Sequence, residues 1–186
     1  MRKCCTLTAQ YLYAICVLLC LTASFNSFAQ SNTFQGAQKA GGVYGTGTEL
    51  DPYLIRTNLH LLQLADSVNN KGYTYQGKFF KIDTTASITA TNVIGDATHP
   101  FEGTFDGDTI EVILNISPTL IVTHYGLFGH IKNATIKNLE VKSTTTVTPH
   151  TAATYVGGIC AFVDSNSKII RCNSSINFSA SQVFLR

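Results

Sequence analysis

The chain of 186 residues carries little charge, with 13% Asp, Glu, Lys and Arg, and a formal net charge of +2 at pH 7. That excess lies in Arg2 and Lys3, beyond which 11 basic side chains face 11 acidic ones. A neutral chain without a basic cluster has no electrostatic grip on a phosphate backbone, which argues against a nucleic-acid partner. The abundance of Thr, Ser, Asn, Gly and β-branched residues argues for one β-rich, exported domain rather than a helical one.

Residues 1–29 read as a secretory signal. Arg2 and Lys3 precede the uncharged run Tyr11 to Leu21, and Ser27-Phe28-Ala29 places small residues before a cut at Gln30. The run is shorter than the roughly 20 residues a membrane-spanning helix needs, so no span is expected in the mature chain. A lipid on Cys20 is disfavoured because Leu19, before it, is larger than such processing accepts. Cys4, Cys5, Cys16 and Cys20 would leave with the signal, and Cys160 and Cys172 would remain. Cys172 takes the repeat position of Leu139, so the pair reads as small core hydrophobes, with a disulfide as the minority reading for an exported protein. No histidine spacing supports zinc at these cysteines.

Residues 30–43 read as a flexible leader. The glycines of Gly41 to Thr48 lack the Lys-Ser/Thr ending of a phosphate loop. An N-terminal cap is expected over 44–76. Asp51-Pro52-Tyr53-Leu54-Ile55 opens it as a short strand, and Thr57 or Asn58 then caps a helix whose Leu59, Leu62, Ala65 and Val68 form one face. Residues 77–186 form a series of short strands. They are expected at Gly77 to Asp83, Ser87 to Thr89, Asn92 to Gly95, Thr104 to Phe105, Ile110 to Ile116, Thr119 to Val122, Leu127 to Ile131, Ala134 to Lys142, Val156 to Val163 and Lys168 to Phe178.

Two of these units repeat. Gly126-Leu127 aligns with Gly158-Ile159 at a spacing of 32, and Ile136 and Leu139 align with Ile169 and Cys172 at 33, so one residue is added in the intervening turn. The alternation Leu139, Val141, Ser143, Thr145, Val147 returns as Cys172, Ser174, Ile176, Phe178. A period of this length, with corner glycines Gly103, Gly107, Gly126, Gly129, Gly157 and Gly158, describes stacked coils about 4.8 Å apart that share one core. The expected fold is therefore an all-β parallel β-helix with an N-terminal α-helical cap. A sandwich or barrel would show more two-residue hairpin turns than the one Asp106-Gly107 pair.

These residues resemble a family. Gly45-Thr46-Gly47-Thr48 to Ile55, Leu59 to Val68, Tyr75 to Phe80, Val93-Ile94-Gly95, Pro100 to Gly107 and Gly126-Leu127-Phe128-Gly129 are similar, in order, to GLUG-repeat proteins. Those are secreted or surface proteins of Bacteroidota, related to the N-terminal region of IgA-peptidase-like proteins. The resemblance implies a right-handed parallel β-helix and brings no catalytic site. The chain departs from the pattern after Gly107, where the turn is about two residues short, and at Ala161, where a corner glycine is expected. The last unit is unfinished at Arg186, which implies a truncated product or a short member with a poorly capped end. Asp66-Ser67-Val68, Asp83-Thr84-Thr85 and Asp108-Thr109-Ile110 resemble the Asp-Ser/Thr-aliphatic strings that carry O-glycans in exported proteins of that phylum.

No residue reads as catalytic, cofactor-binding or metal-ligating. Asp106 and Asp108 lack the further oxygen ligands of a calcium loop, and with Asp164 to Ser167 they read as turns. His60, His99, His124, His130 and His150 form no zinc-peptidase motif, although His124 and His130 bracket the Gly-Leu-Phe-Gly corner. Tyr44, Tyr53, Tyr73, Tyr75, Tyr125 and Tyr155 are candidates either for the core or for contact with a ligand. The functional expectation is a non-catalytic extracellular or cell-surface module for adhesion to, or recognition of, a glycan or protein. The rivals are a polysaccharide-acting β-helix enzyme and the front portion of a larger surface protein.

Overall fold

The computed structural model describes residue 36 and residues 45–179. Residues 1–35 and 37–44, which include the signal, Cys20 and Tyr44, and the last seven residues lie outside the described residues. Thirteen strands and one helix follow in order: β1 (Tyr53–Ile55), α1 (Asn58–Asn69), β2 (Phe79–Ile82), β3 (Ile88–Ala90), β4 (Thr104–Asp106), β5 (Glu111–Leu114), β6 (His124–Tyr125), β7 (Phe128–Ile131), β8 (Thr135–Lys137), β9 (Glu140–Lys142), β10 (Tyr155–Val156), β11 (Cys160–Val163), β12 (Lys168–Ile170) and β13 (Asn173–Ser175).

Every strand pairing is parallel. One sheet runs β1-β2-β4-β8-β12, a second runs β13-β9-β5-β3, and a third side is built from the pairs β6 with β10 and β7 with β11. From β4 onward the chain passes from side to side, and each side recurs one coil later. This is a parallel β-helix.

The register makes ladders of like side chains. Phe80, Phe105, Ile136 and Ile169 stand side by side in the first sheet, and Ile88, Val112, Val141 and Ser174 in the second. Between the sides runs a column of rings in which Phe80 meets Phe101 at 5.7 Å, and Phe101 and Phe105 each meet Phe128 at 5.3 Å. Ile136 is fully buried whereas Ile169 is 42% exposed, because no described strand lies beyond β12.

Helix α1 occupies the place that a strand of the second sheet would take beside β3. Thr57 is its N-cap and accepts a hydrogen bond from the His60 N–H at 3.3 Å. Asn58 Oδ1 accepts the Thr89 N–H at 2.7 Å and so satisfies the free edge of β3. At the other end Asn69 donates to the Val93 carbonyl and accepts from the Gly95 N–H, at 2.7 and 2.8 Å. The cap therefore seals an edge as well as covering a core. Its buried face is Leu61, Leu64, Ala65, Ser67 and Val68, while Leu59 and Leu62 are 58% and 41% exposed. A strict three-residue step drifts around a helix of 3.6 residues per turn, which is why the expected face holds only from Ala65 onward. Ser67 lies inside this face, bonded to Leu64 and to the Tyr75 hydroxyl, so it offers no surface for a glycan.

Other expected boundaries shift for local reasons. The run from 134 to 142 divides at Asn138, and that from 168 to 178 at Arg171, since both residues adopt left-handed φ of 51° and 52° and turn the corner between sheets. The turn after Gly107 instead uses two consecutive left-handed residues, Asp108 and Thr109. Thr119 to Val122 is not a strand, and Asn92 to Gly95 holds only a single bridge, Ile94 to Phe128; in its coil the third side begins at His124. Val147 faces Phe178, so four residues, 143–146, correspond to two, 176–177, and the alternation stops being in phase after Val141.

Candidate functional site on the third side

Strands β6 and β7 meet at the corner Gly126-Leu127. Tyr125, Phe128 and Ile131 are fully buried, while His124 is covered to 9% exposure and His130 is half-buried. The corner is tight. A Cβ on Gly126 would come within 2.5 Å of the Gly157 carbonyl oxygen, and one on Gly129 would run into the Gly95 carbonyl and the Val93 side chain. The two imidazoles lie nearly parallel, 14° apart, with ring centroids at 5.8 Å.

The next coil sets aromatic rings in register with them. Tyr155 pairs with His124 and Phe162 with His130. Tyr155 stacks on His124 at 4.8 Å and 19°, and Phe162 meets His130 edge-on at 4.9 Å and Tyr155 edge-on at 5.2 Å. Four rings thus form one cluster that spans two coils. Among the tyrosine candidates Tyr155 is 43% exposed, whereas Tyr75 and Tyr125 are buried. The Tyr125 hydroxyl donates to the Ile116 carbonyl, and burial pushes its pKa up to about 12.

Charges stand at both rims. Asp164 Oδ2 lies 3.7 Å from His130 Nε2, and Asp96 Oδ1 lies 3.9 Å from His99 Nδ1. Neither ring nitrogen of His130 has a hydrogen-bond partner, although both are buried, and the same holds for His99 Nδ1. A buried imidazole without protein partners forgoes the hydrogen bonds it makes in water. His124 Nδ1 does have a partner in Thr123 Oγ1 at 2.9 Å. Burial, reinforced by His130 and opposed by Asp96, holds the His124 pKa below the ordinary imidazole value. Hydrogen bonds from the Ser165 N–H and hydroxyl hold the Asp164 carboxyl below its ordinary range.

The remaining sequence candidates fall elsewhere. Asp106 accepts from the Asp108 N–H and from Asn138 Nδ2 and lies 3.3 Å from Lys137, while Asp108 pairs with Lys81 at 3.2 Å, so both carboxylates serve the turn and its neighbours. Burial pushes the Asp106 carboxyl up, but the Asn138 and Asp108 hydrogen bonds and Lys137 outweigh it and its pKa lies low. Among the described residues no group of three His, Cys, Asp or Glu is placed to hold a metal. Cys160 and Cys172 are free thiols packed against the core, not a disulfide. Cys160 Sγ turns to the Phe162 carbonyl and Cys172 Sγ to that of Ile170, and burial raises both pKa values, that of Cys160 to about 12, which removes thiolate character. The corner glycines sit where backbones approach; a Cβ on Gly107 would come within 2.5 Å of the Asn138 carbonyl, and one on Gly103 within 2.7 Å of the Phe101 ring. Phe162 was the member of the cluster that sequence reasoning did not single out. Its signal was the spacing of 32 from His130, the same spacing that aligned Gly126 with Gly158.

No family model matches the chain, and no solved structure matches it. Among curated proteins it is 30% identical over 138 residues to one from Evansella cellulosilytica that bears the name "Putative Gly-rich membrane protein". The matched segment covers 68% of this chain but 14% of that relative, so the chain corresponds to a small part of it. No helix among the described residues is long and apolar enough to cross a membrane. The chain is thus a parallel β-helix similar to one part of a much larger protein named for a membrane.

Proposed function

We propose that the chain is an exported, non-catalytic β-helix module, of the GLUG-repeat kind, that recognises a carbohydrate at the cell surface through its third side. The observation that carries this reading is the Tyr155 ring, held flat against His124 at 4.8 Å. A ring already fixed in orientation gives up little conformational freedom on binding and presents an apolar face beside polar groups. A sugar has the complementary chemistry, with a C–H face to lie on the ring and hydroxyls to reach the Asp96 and Asp164 carboxylates. That mixture favours a glycan over a protein ligand. The name of the larger relative supports a surface location, and its length supports the reading of this chain as one module of a bigger surface protein.

The test is retention on arrayed glycans by the full chain and by Tyr155→Ala. Selective retention by the wild type, weakened at least about tenfold in the variant, is the expected result for a stacking residue that dominates its interface. Equal retention by both would contradict the assignment of the site. Release of unsaturated sugars from a bound polysaccharide would replace the non-catalytic reading with the enzymatic one.

A further inference from the structure

The arrangement of the third side suits uncharged imidazoles. His124 is only 9% exposed, lies between Tyr155 and His130, and is nearly parallel to both. Two imidazolium ions 5.8 Å apart in a poorly hydrated cluster repel each other. The other groups facing the pair are few. Asp96, with His99 beside it, approaches from the preceding coil, Tyr155 and Asp164 from the following one, and Lys132 follows β7 and acts on Asp164. Asp164 is close enough to attract a charged His130 but too far, at 3.7 Å, to be hydrogen-bonded to it in the present arrangement.

We propose that protonation of His124, packed between Tyr155 and His130, is a pH switch that dismantles the aromatic platform, the charged ring leaving Tyr155. The proposal concerns regulation of the recognition face and rests on that reading of the third side. Burial and His130 both hold His124 in its neutral form, so the switch operates on the acid side of the ordinary imidazole value of about 6.5. Ligand release in acid is its functional consequence.

Proton NMR of the full chain, titrated from neutral to acid without any ligand, tests this directly. The Tyr155 ring protons, displaced upfield by the stacked imidazole, are expected to lose that displacement with the same midpoint as the His124 Hε1 signal. In His124→Phe, which keeps a stacking ring and removes the charge, they should stay in place. Should that variant fail to fold, His130→Gln serves, because removing the second charge moves the His124 midpoint upward. Tyr155 signals that ignore the His124 titration, that move equally in His124→Phe, or a midpoint unmoved by His130→Gln would overturn the switch. Since no ligand is used, failure of the glycan assignment cannot mimic any of these results.

Discussion

The two sheet faces of the solenoid and its third side treat their polar groups differently. On the sheets, charges are answered on or beside a neighbouring coil, as in Lys137 with Asp106 at 3.3 Å, Lys81 with Asp108 at 3.2 Å, and Lys142 with Glu111 and Glu140 at 2.7 and 3.0 Å. Exposed pairs of this kind add little stability each, but like charges in their place would repel, so they help to keep each coil in register. On the third side two imidazoles stack against the Tyr155 ring, and the His130 nitrogens are buried without a protein partner. Satisfied faces are scaffold. A pre-stacked ring beside two carboxylates is where a ligand gains most.

Breaking the scaffold should cost far more stability than breaking the third side. Phe105→Ala removes a fully buried ring from the central column and is expected to lose about 3–5 kcal/mol, read as the urea midpoint. Asn69→Ala detaches the cap from Val93 and Gly95 and should cost about 1–3 kcal/mol. At the corner, Asn138→Ala meets about 1–2 kcal/mol of left-handed strain that Asn138→Gly avoids, so alanine should melt lower than glycine, and the reverse order would contradict the corner account.

Acidification should act through the third side. The folded pKa of His124 lies below its unfolded value, so the unfolded chain binds the extra proton first. Stability contributed by the neutral ring is whole above about 6.5, falls as pH drops from there, and levels off below the folded pKa. Thermal melts of His124→Phe across that window should show a flatter dependence than the wild type. Least of all, Tyr155→Ala should lower stability by about 0.5–1.5 kcal/mol of lost ring contact, read as a small drop in melting temperature, while weakening recognition at least about tenfold.

Much of this fold was legible because a solenoid writes its geometry as sequence spacing. The offset of 33 that aligned Ile136 with Ile169 is their register in the first sheet, and the added residue falls in the turn from Asp164 to Ser167. Where the spacing breaks, at residues 143–146 opposite 176–177, the reading lost phase, since nothing local marks an outward loop. The cap helix was recognisable from its N-cap, but its buried face depends on where β3 lies, which Leu59 and Leu62 do not encode. The site was half visible. His124 and His130 stood out beside the glycine corner, and Tyr155 was one of six candidate tyrosines; only the coil-to-coil register shows that Tyr155 and Phe162 fall on those two histidines.

The most direct test of the third side as the recognition face is a chemical-shift map of the wild-type chain titrated with the oligosaccharide that it retains best on the array. The account predicts perturbations centred on His124, His130, Tyr155 and Phe162, with the outer residues of β8 and β9 unmoved. Perturbations centred on Lys137, Glu140 and Lys142 instead would place recognition on the charge-paired sheets and contradict it.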